Sequence, residues 1–178
     1  MKNKKVLVLI IIVIILDRIS KIIISINLKE NQVIKVIGNF FRISYMKNTG
    51  AAWSMLEGKQ LLLIIISILF LIFMIMTVIK DKRNTKFNIL GYSFIIGGII
   101  GNLIDRIIYK YVIDFLSFKI INYYFPVFNI ADMLIVFGAI FFISDILLEG
   151  REEGPIAVEY KEFEEKVHGK NSSRKRKS

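Results

Sequence analysis

Two aspartates, Asp114 and Asp132, are the residues of this 178-residue chain best placed for acid–base chemistry. They flank one turn, residues 119–125, at nearly equal distances, and neither has an adjacent opposite charge. If the chain runs antiparallel through that turn, the two carboxylates come to the same depth. Since facing carboxylates do not comfortably both ionise, one keeps its proton. Such a pair can activate water and protonate a leaving amine, which predicts peptide-bond hydrolysis.

Spacing alone leaves simpler interpretations open, because either aspartate could be a solvated loop residue or a helix cap. Asp145 shows that an aspartate in this chain can be incidental. The chain has no cysteine, and its one histidine, His168, lies in a polar tail. Disulfides, thiolate metal sites and a cysteine nucleophile are therefore excluded. The chemistry is expected to need neither a metal nor another cofactor.

The composition is that of a membrane protein, with 54% hydrophobic residues and a mean hydropathy of +0.57. Each of four apolar runs is long enough to cross a bilayer as a helix. They cover 6–26, 61–79, 88–108 and 126–148. We predict a four-helix transmembrane bundle within residues 1–150, with its first helix retained because no signal-peptide cleavage site follows it. Residues 151–178 are expected to form a charged, mobile cytoplasmic tail.

Basic residues predict the orientation. They cluster at the N-terminus, between the second and third runs and in the tail: Lys2, Lys4, Lys5, Lys80, Lys82, Arg83, Lys86, Arg174, Lys175, Arg176 and Lys177. By the positive-inside rule both termini are cytoplasmic, and segments 27–60 and 109–125 face outward. The formal charge of +10 is then explained by orientation and by anionic membrane lipid, so no nucleic-acid partner is expected.

The first outer segment has the pattern of a β-hairpin. An apolar run at 33–37 is followed by Gly38-Asn39 and a second run at 40–46. A small outer β region covering about 33–56 is predicted, with Trp53 at the membrane interface. An interfacial loop without strand pairing is the alternative.

Polar residues inside the apolar runs are expected to have a structural or functional role, because each ionisable group raises the free energy of membrane insertion by about 2.5 kcal/mol or more. Helical spacing places Asp17 with Lys21, Asn102 with Asp105 and Arg106, and Asn129 with Asp132 on shared faces. A purely structural interpretation makes Asp17–Lys21 and Asp105–Arg106 internal ion pairs, while Arg18 extends toward water. Three glycines on the third run allow close helix contact: Gly97, Gly98 and Gly101.

Taken in order, these residues form five motifs that closely resemble the bacterial lipoprotein signal peptidase family, signal peptidase II. The motifs are Asp17-Arg-Ile-Ser-Lys21, Asn48-Thr-Gly-Ala-Ala-Trp53, Gly101-Asn-Leu-Ile-Asp-Arg106, Val112-Ile-Asp-Phe115 and Phe128-Asn-Ile-Ala-Asp132. The resemblance covers all four predicted spans, about residues 7–148.

The resemblance implies an aspartic endopeptidase of the bacterial cytoplasmic membrane, acting at its extracytoplasmic face. Its substrates would be diacylglyceryl-modified prolipoproteins, cut just before the lipidated lipobox cysteine. An outer β-cradle and a monomeric enzyme are also expected. The two catalytic residues correspond to Asp114 and Asp132. The substrate-binding and supporting residues correspond to Asp17, Lys21, Asn48, Gly50, Asn102, Asp105, Arg106, Asn129 and Ala131.

Two other functions use the same polar residues differently. A serine–lysine peptidase would pair Ser54 or Ser44 with Lys21 or Lys47 as the base. A small transporter or proton relay would spread Asp17, Asp105 and Asp132 along a polar path. The peptidase hypothesis instead requires Asp114 and Asp132 to face each other at one boundary.

Overall fold

A computed structural model describes residues 2–51 and 55–152. Four features discussed above lie outside that range: Trp53, Ser54, His168 and nearly all of the predicted tail. The chain divides into two compact units, Met1–Phe142 and Ile143–Ser178.

Four helices make up most of the described chain: α1 (Lys2–Asn27), α2 (Gln60–Lys80), α3 (Lys86–Tyr109) and α4 (Ile130–Glu152). By length and composition, α2, α3 and the 130–148 part of α4 are each able to cross a membrane. Many large apolar side chains of α1, α2 and α4 are exposed, such as Leu7, Phe73 and Phe137. Apolar surface of this extent is suited to lipid rather than water.

The central helix of the first unit is α3, because 67% of its apolar stretch is buried against 17% for α2. Glycines allow its neighbours to come this close, as the sequence predicts. A Cβ at Gly97 would lie 2.5 Å from Val13 Cγ1 of α1, and one at Gly98 would lie 2.6 Å from the Ala131 carbonyl oxygen of α4. Backbone contact at this distance is the small-residue packing typical of membrane helices.

An antiparallel sheet of four strands in the order β1-β2-β3-β4 accompanies the helices. The strands are β1 (Val33–Ile37), β2 (Phe41–Asn48), β3 (Val112–Ile120) and β4 (Tyr123–Tyr124). The predicted hairpin is confirmed as β1 and β2, with Gly38 at a φ of 50° in its turn. The alternative of an unpaired loop is therefore wrong.

Two boundaries differ from those the sequence predicts. The sheet is not confined to the predicted region of about 33–56, because β3 extends the hairpin into a larger sheet and turns back through β4. Residues 126–129, assigned to the fourth apolar run, precede α4, and Phe128 forms a β-bridge with Leu116. The hydropathy pattern identifies these residues as apolar, but it does not predict that one of them pairs with β3, because that pairing depends on a strand elsewhere in the sequence.

We expect Gly98→Ala to destabilise the protein by about 1–3 kcal/mol, because the new methyl group would lie 2.6 Å from both the Ala131 carbonyl oxygen and Ile135 Cγ1, and the backbone oxygen cannot move aside as a side chain can. The thermal midpoint in detergent measures the effect. Ile108→Ala, at an exposed position of the same helix, is the control. Equal midpoints for Gly98→Ala and the parent protein would contradict this packing.

Candidate active site

Asp114 is the third residue of β3 and is only 2% exposed. Its two oxygens accept hydrogen bonds from two amides. Asn48 Nδ2, at the end of β2, lies 2.7 Å from Oδ2, and Asn129 Nδ2 lies 2.7 Å from Oδ1. The β2–β3 pairing thus brings Asn48 to Asp114 across 66 positions of sequence.

Asp132 is held in the first turn of α4 by a reciprocal cap. The Asp132 backbone N–H donates to Asn129 Oδ1 at 3.0 Å, and the Asn129 backbone N–H donates to Asp132 Oδ2 at 3.2 Å. This pattern satisfies two backbone donors that an isolated helix start leaves unpaired. Asp132 therefore does act as a helix cap, as the simpler interpretation has it, while its Oδ1 accepts from Asn102 Nδ2 at 2.7 Å.

A single residue, Asn129, bonds both aspartates, so the strand and the helix bring the two carboxyl groups to one place. Asp114 is buried and lies in the field of Asp132. Burial first, and the charge of Asp132 second, raise the pKa of Asp114 to about 7. Near neutral pH the pair therefore holds a proton that an ordinary aspartate would have lost.

Both aspartates line a cavity of about 510 Å³, a size typical of ligand sites. Its polar residues are few, and most of its wall is apolar. The lining residues are Asn48, Ala51, Arg106, Val112, Asp114, Phe125, Pro126, Val127, Phe128, Asp132, Met133, Ile135, Val136 and Phe137.

Next to the carboxyl pair lies a buried cluster of four charges from α1 and α3. Lys21 Nζ contacts Asp17 Oδ2 at 3.0 Å and Asp105 Oδ2 at 2.8 Å. Arg18 contacts the same two carboxylates, at 3.0 Å and 2.6 Å. Two cations thus balance two anions, and three of the four side chains are fully buried.

This cluster also fixes the backbone beside each aspartate. Asp105 Oδ2 accepts from the N–H of Ile113, which precedes Asp114, and Asp17 Oδ1 accepts from the N–H of Ala131, which precedes Asp132. Lys21 Nζ further donates to Asn102 Oδ1 at 2.9 Å. The ion cluster is therefore part of the framework that positions the carboxyl pair.

Two predicted partners need correction. Asp105 pairs with Arg18 and Lys21, not with Arg106, its neighbour in sequence. Arg18 turns inward rather than toward water, because the Asp105 carboxylate and the Gly101 carbonyl oxygen offer it acceptors. Arg18 and Lys21 are spaced i, i+3 and so lie on one helix face, and this spacing was the sequence signal for the inward orientation of Arg18.

Arg106 instead reaches the loop after β2. Its Nη2 donates to the Gly50 carbonyl oxygen at 3.3 Å, and the Gly50 N–H donates to Asn48 Oδ1 at 2.8 Å. Its Nε has no partner among the described residues, although the guanidinium lines the cavity. All eleven residues predicted for the site thus lie at the cavity or in the hydrogen-bonded framework around it.

Comparison with known proteins agrees with this architecture. Residues 9–148 match the model of the family described as signal peptidase (SPase) II. The lipoprotein signal peptidase of Clostridium novyi (strain NT) is 44% identical over 139 residues, covering 78% of this chain and 94% of that protein. That of Clostridium tetani (strain Massachusetts / E88) is 42% identical over 144 residues, covering 80% and 92%.

Two solved structures described as a bacterial membrane enzyme, determined by the in meso method at 2.3 and 1.9 Å resolution, share the fold. The first has a TM-score of 0.77 at 34% identity and covers 84% of this chain and 92% of its own. The second has a TM-score of 0.72 at 36% identity and covers 80% and 92%. The fold is thus that of a membrane enzyme. The chain belongs to the signal peptidase II family, the aspartic peptidases that remove signal peptides from prolipoproteins.

We expect Lys21→Met to destabilise the protein by about 3–5 kcal/mol, because it leaves buried carboxylates with one cation fewer. Thermal unfolding in detergent measures the loss. Lys47→Met is the control, since it breaks an exposed pair with Glu30 and should change the midpoint little. A Lys21 variant as stable as the Lys47 variant would refute this role of the cluster.

Proposed function

We propose that Asp114 and Asp132 are the catalytic pair with which this chain cuts diacylglyceryl-modified prolipoproteins just before the lipidated cysteine. The observation that carries the proposal is the arrangement of the two carboxyl groups. Both line one cavity, and both are bonded by Asn129. The apolar wall of that cavity suits the hydrophobic end of a signal peptide.

The proposed chemistry divides the work between the two groups. Asp132 is the carboxylate that takes a proton from water as the water attacks the scissile carbonyl carbon. Asp114, whose pKa is raised to about 7, donates its proton to the developing oxyanion. When the tetrahedral intermediate collapses, Asp114 takes that proton back from the new hydroxyl group, and the proton that Asp132 took from water passes to the leaving nitrogen as the C–N bond breaks. Arg106, at the same cavity, is placed to bind a substrate carbonyl or a polar lipid group.

The proposed topology has four spans, cytoplasmic termini and an active site at the extracytoplasmic face of the cytoplasmic membrane. At 26 residues α1 is about 39 Å long, enough for a core of about 30 Å, so it is the proposed fourth span. Its internal charges Asp17, Arg18 and Lys21 are satisfied inside the bundle rather than exposed to lipid. Basic residues at both termini and at 80–86 support this orientation. The proposed enzyme is a monomer.

The two rival functions fit the geometry less well. Lys21 is paired with two carboxylates and Lys47 with Glu30, so the amino groups of both lysines already have partners other than a serine hydroxyl. Ser54 lies outside the described residues. Asp17 and Asp105 are likewise neutralised by Arg18 and Lys21, which does not suit steps of a proton path.

We expect Asp114→Asn and Asp132→Asn each to reduce cleavage by about 10²–10⁴-fold or more, because each removes one half of the acid–base pair. The assay follows cleavage of a diacylglyceryl-modified prolipoprotein in detergent, with a chelator present because no metal takes part in the proposed mechanism. Glu30→Gln, which removes an exposed carboxylate, is the matched control. Substantial activity in either aspartate variant would overturn the assignment.

The pH profile tests whether the aspartate pair holds a proton near neutral pH. The raised pKa of Asp114 keeps it protonated below about pH 7, and it loses that proton as the pH rises further. We therefore expect kcat/KM to fall with an apparent pKa of about 7 on the alkaline side. The profile is measured with the parent protein and with Glu30→Gln. A rate that stays level or rises between about pH 7 and pH 9 would assign the acid elsewhere.

A further inference from the structure

The cavity that Asp114 and Asp132 line is called the catalytic cavity below. A second cavity, of about 260 Å³, lies on the sheet next to it. Val127 lines both cavities, so the two are adjacent. We name it the Arg42 subsite, and its lining residues are Asn31, Val33, Arg42, Ser44, Met46, Ser117 and Val127. Nothing in the proposed mechanism uses these residues, except that Val127 also borders the catalytic cavity.

The subsite holds hydrogen-bond donors without acceptors. Ser44 is 3% exposed, and its Oγ has no partner among the described residues. Arg42 Nε is also buried and has no hydrogen-bond partner among the described residues. A buried polar atom left unpaired costs about 1–3 kcal/mol, so a ligand that accepts from both would recover that energy.

The Arg42 guanidinium is already held in place. Its Nη2 donates to Ser117 Oγ at 3.1 Å, and its Cζ lies 4.5 Å from the centre of the Tyr124 ring. No ion pair joins Arg42 to a carboxylate within residues 2–51 and 55–152. A fixed cation beside two hydroxyls recognises an oxygen acceptor, and a carboxylate best of all.

The position of the subsite indicates which ligand reaches it. Ser117 follows Asp114 by three residues along β3, which is about 10 Å of strand. An extended peptide whose scissile bond lies at Asp114 would cover that distance in about three residues. The apolar side chains of Val33, Met46 and Val127 can contact the stem of a peptide side chain at that point.

We propose that the Arg42 subsite binds the segment of the prolipoprotein that follows the cleaved bond, and that it favours an acidic side chain within about three residues of the lipidated cysteine. This inference rests on the proposed function. A peptide is favoured over a lipid headgroup because the subsite adjoins the catalytic cavity and its Ser44 hydroxyl is buried between strands rather than at a helix end. The subsite makes the enzyme selective for the mature sequence as well as for the signal peptide.

The test uses diacylglyceryl-modified substrates that carry a single Asp, Asn or Lys at each of the first few positions after the cysteine. The full-length parent is compared with Arg42→Glu, with Ser44→Ala and with Lys35→Glu. Lys35 lies opposite Arg42 in the β1–β2 register but does not line the subsite, so reversing the charge at Lys35 is a matched control. Each kcat/KM is measured in neutral bicelles and in bicelles containing phosphatidylglycerol.

At one position we expect the parent to prefer Asp over Lys by about tenfold, and Arg42→Glu to reverse that preference. Ser44→Ala should weaken the preference for Asp without loss of stability, and Lys35→Glu should keep it. Equal effects of Arg42→Glu on all three substrates would overturn the inference. So would an effect that follows phosphatidylglycerol content instead of peptide charge.

The same experiment separates this inference from the function on which it rests. Cleavage by the parent with no charge preference at any position refutes the subsite alone. A parent that cleaves none of the diacylglyceryl-modified substrates refutes the proposed function as well.

Discussion

The buried ion cluster of Asp17, Arg18, Lys21 and Asp105 is the interaction on which the rest of this structure depends. Removing a charge from water costs several kcal/mol, so four buried charges are tolerated only when each is paired and hydrogen-bonded. Satisfying them requires α1 and α3 to meet at one register. Small residues on α3 permit that approach, since a Cβ at Gly101 would lie 2.6 Å from Asp17 Oδ2.

The position of the carboxyl pair follows from that cluster. Its two carboxylates also accept hydrogen bonds from the backbone N–H groups of Ile113 and Ala131. These residues directly precede the two aspartates of the carboxyl pair. The start of β3 and the first turn of α4 are therefore tied to one charged centre. Asn129 then bonds both carboxyl groups and caps the helix. Side chains held by several such contacts keep one geometry, which acid–base chemistry requires.

The sheet brings side chains to the site that the helices alone do not provide. An antiparallel strand advances about 3.4 Å per residue, so the residues following Asp114 along β3 lead away from the cavity. Strand pairing also supplies Asn48 to Asp114 and keeps Arg42 near Ser117. A peptide leaving the cavity would meet these groups in order, which is the physical basis of the Arg42 subsite.

The sequence by itself determined the membrane class and the β1–β2 hairpin, and it named the residues that are proposed for the site. The membrane class and the hairpin follow from hydropathy and local turn chemistry, which depend on near neighbours, whereas the site residues follow from the order of five motifs along the chain. Only the tertiary structure decided that Asp105 pairs with Arg18, that β3 joins the sheet, and that Asn129 bonds both aspartates. Partners tens of positions apart depend on helix register and strand pairing, which no local pattern specifies.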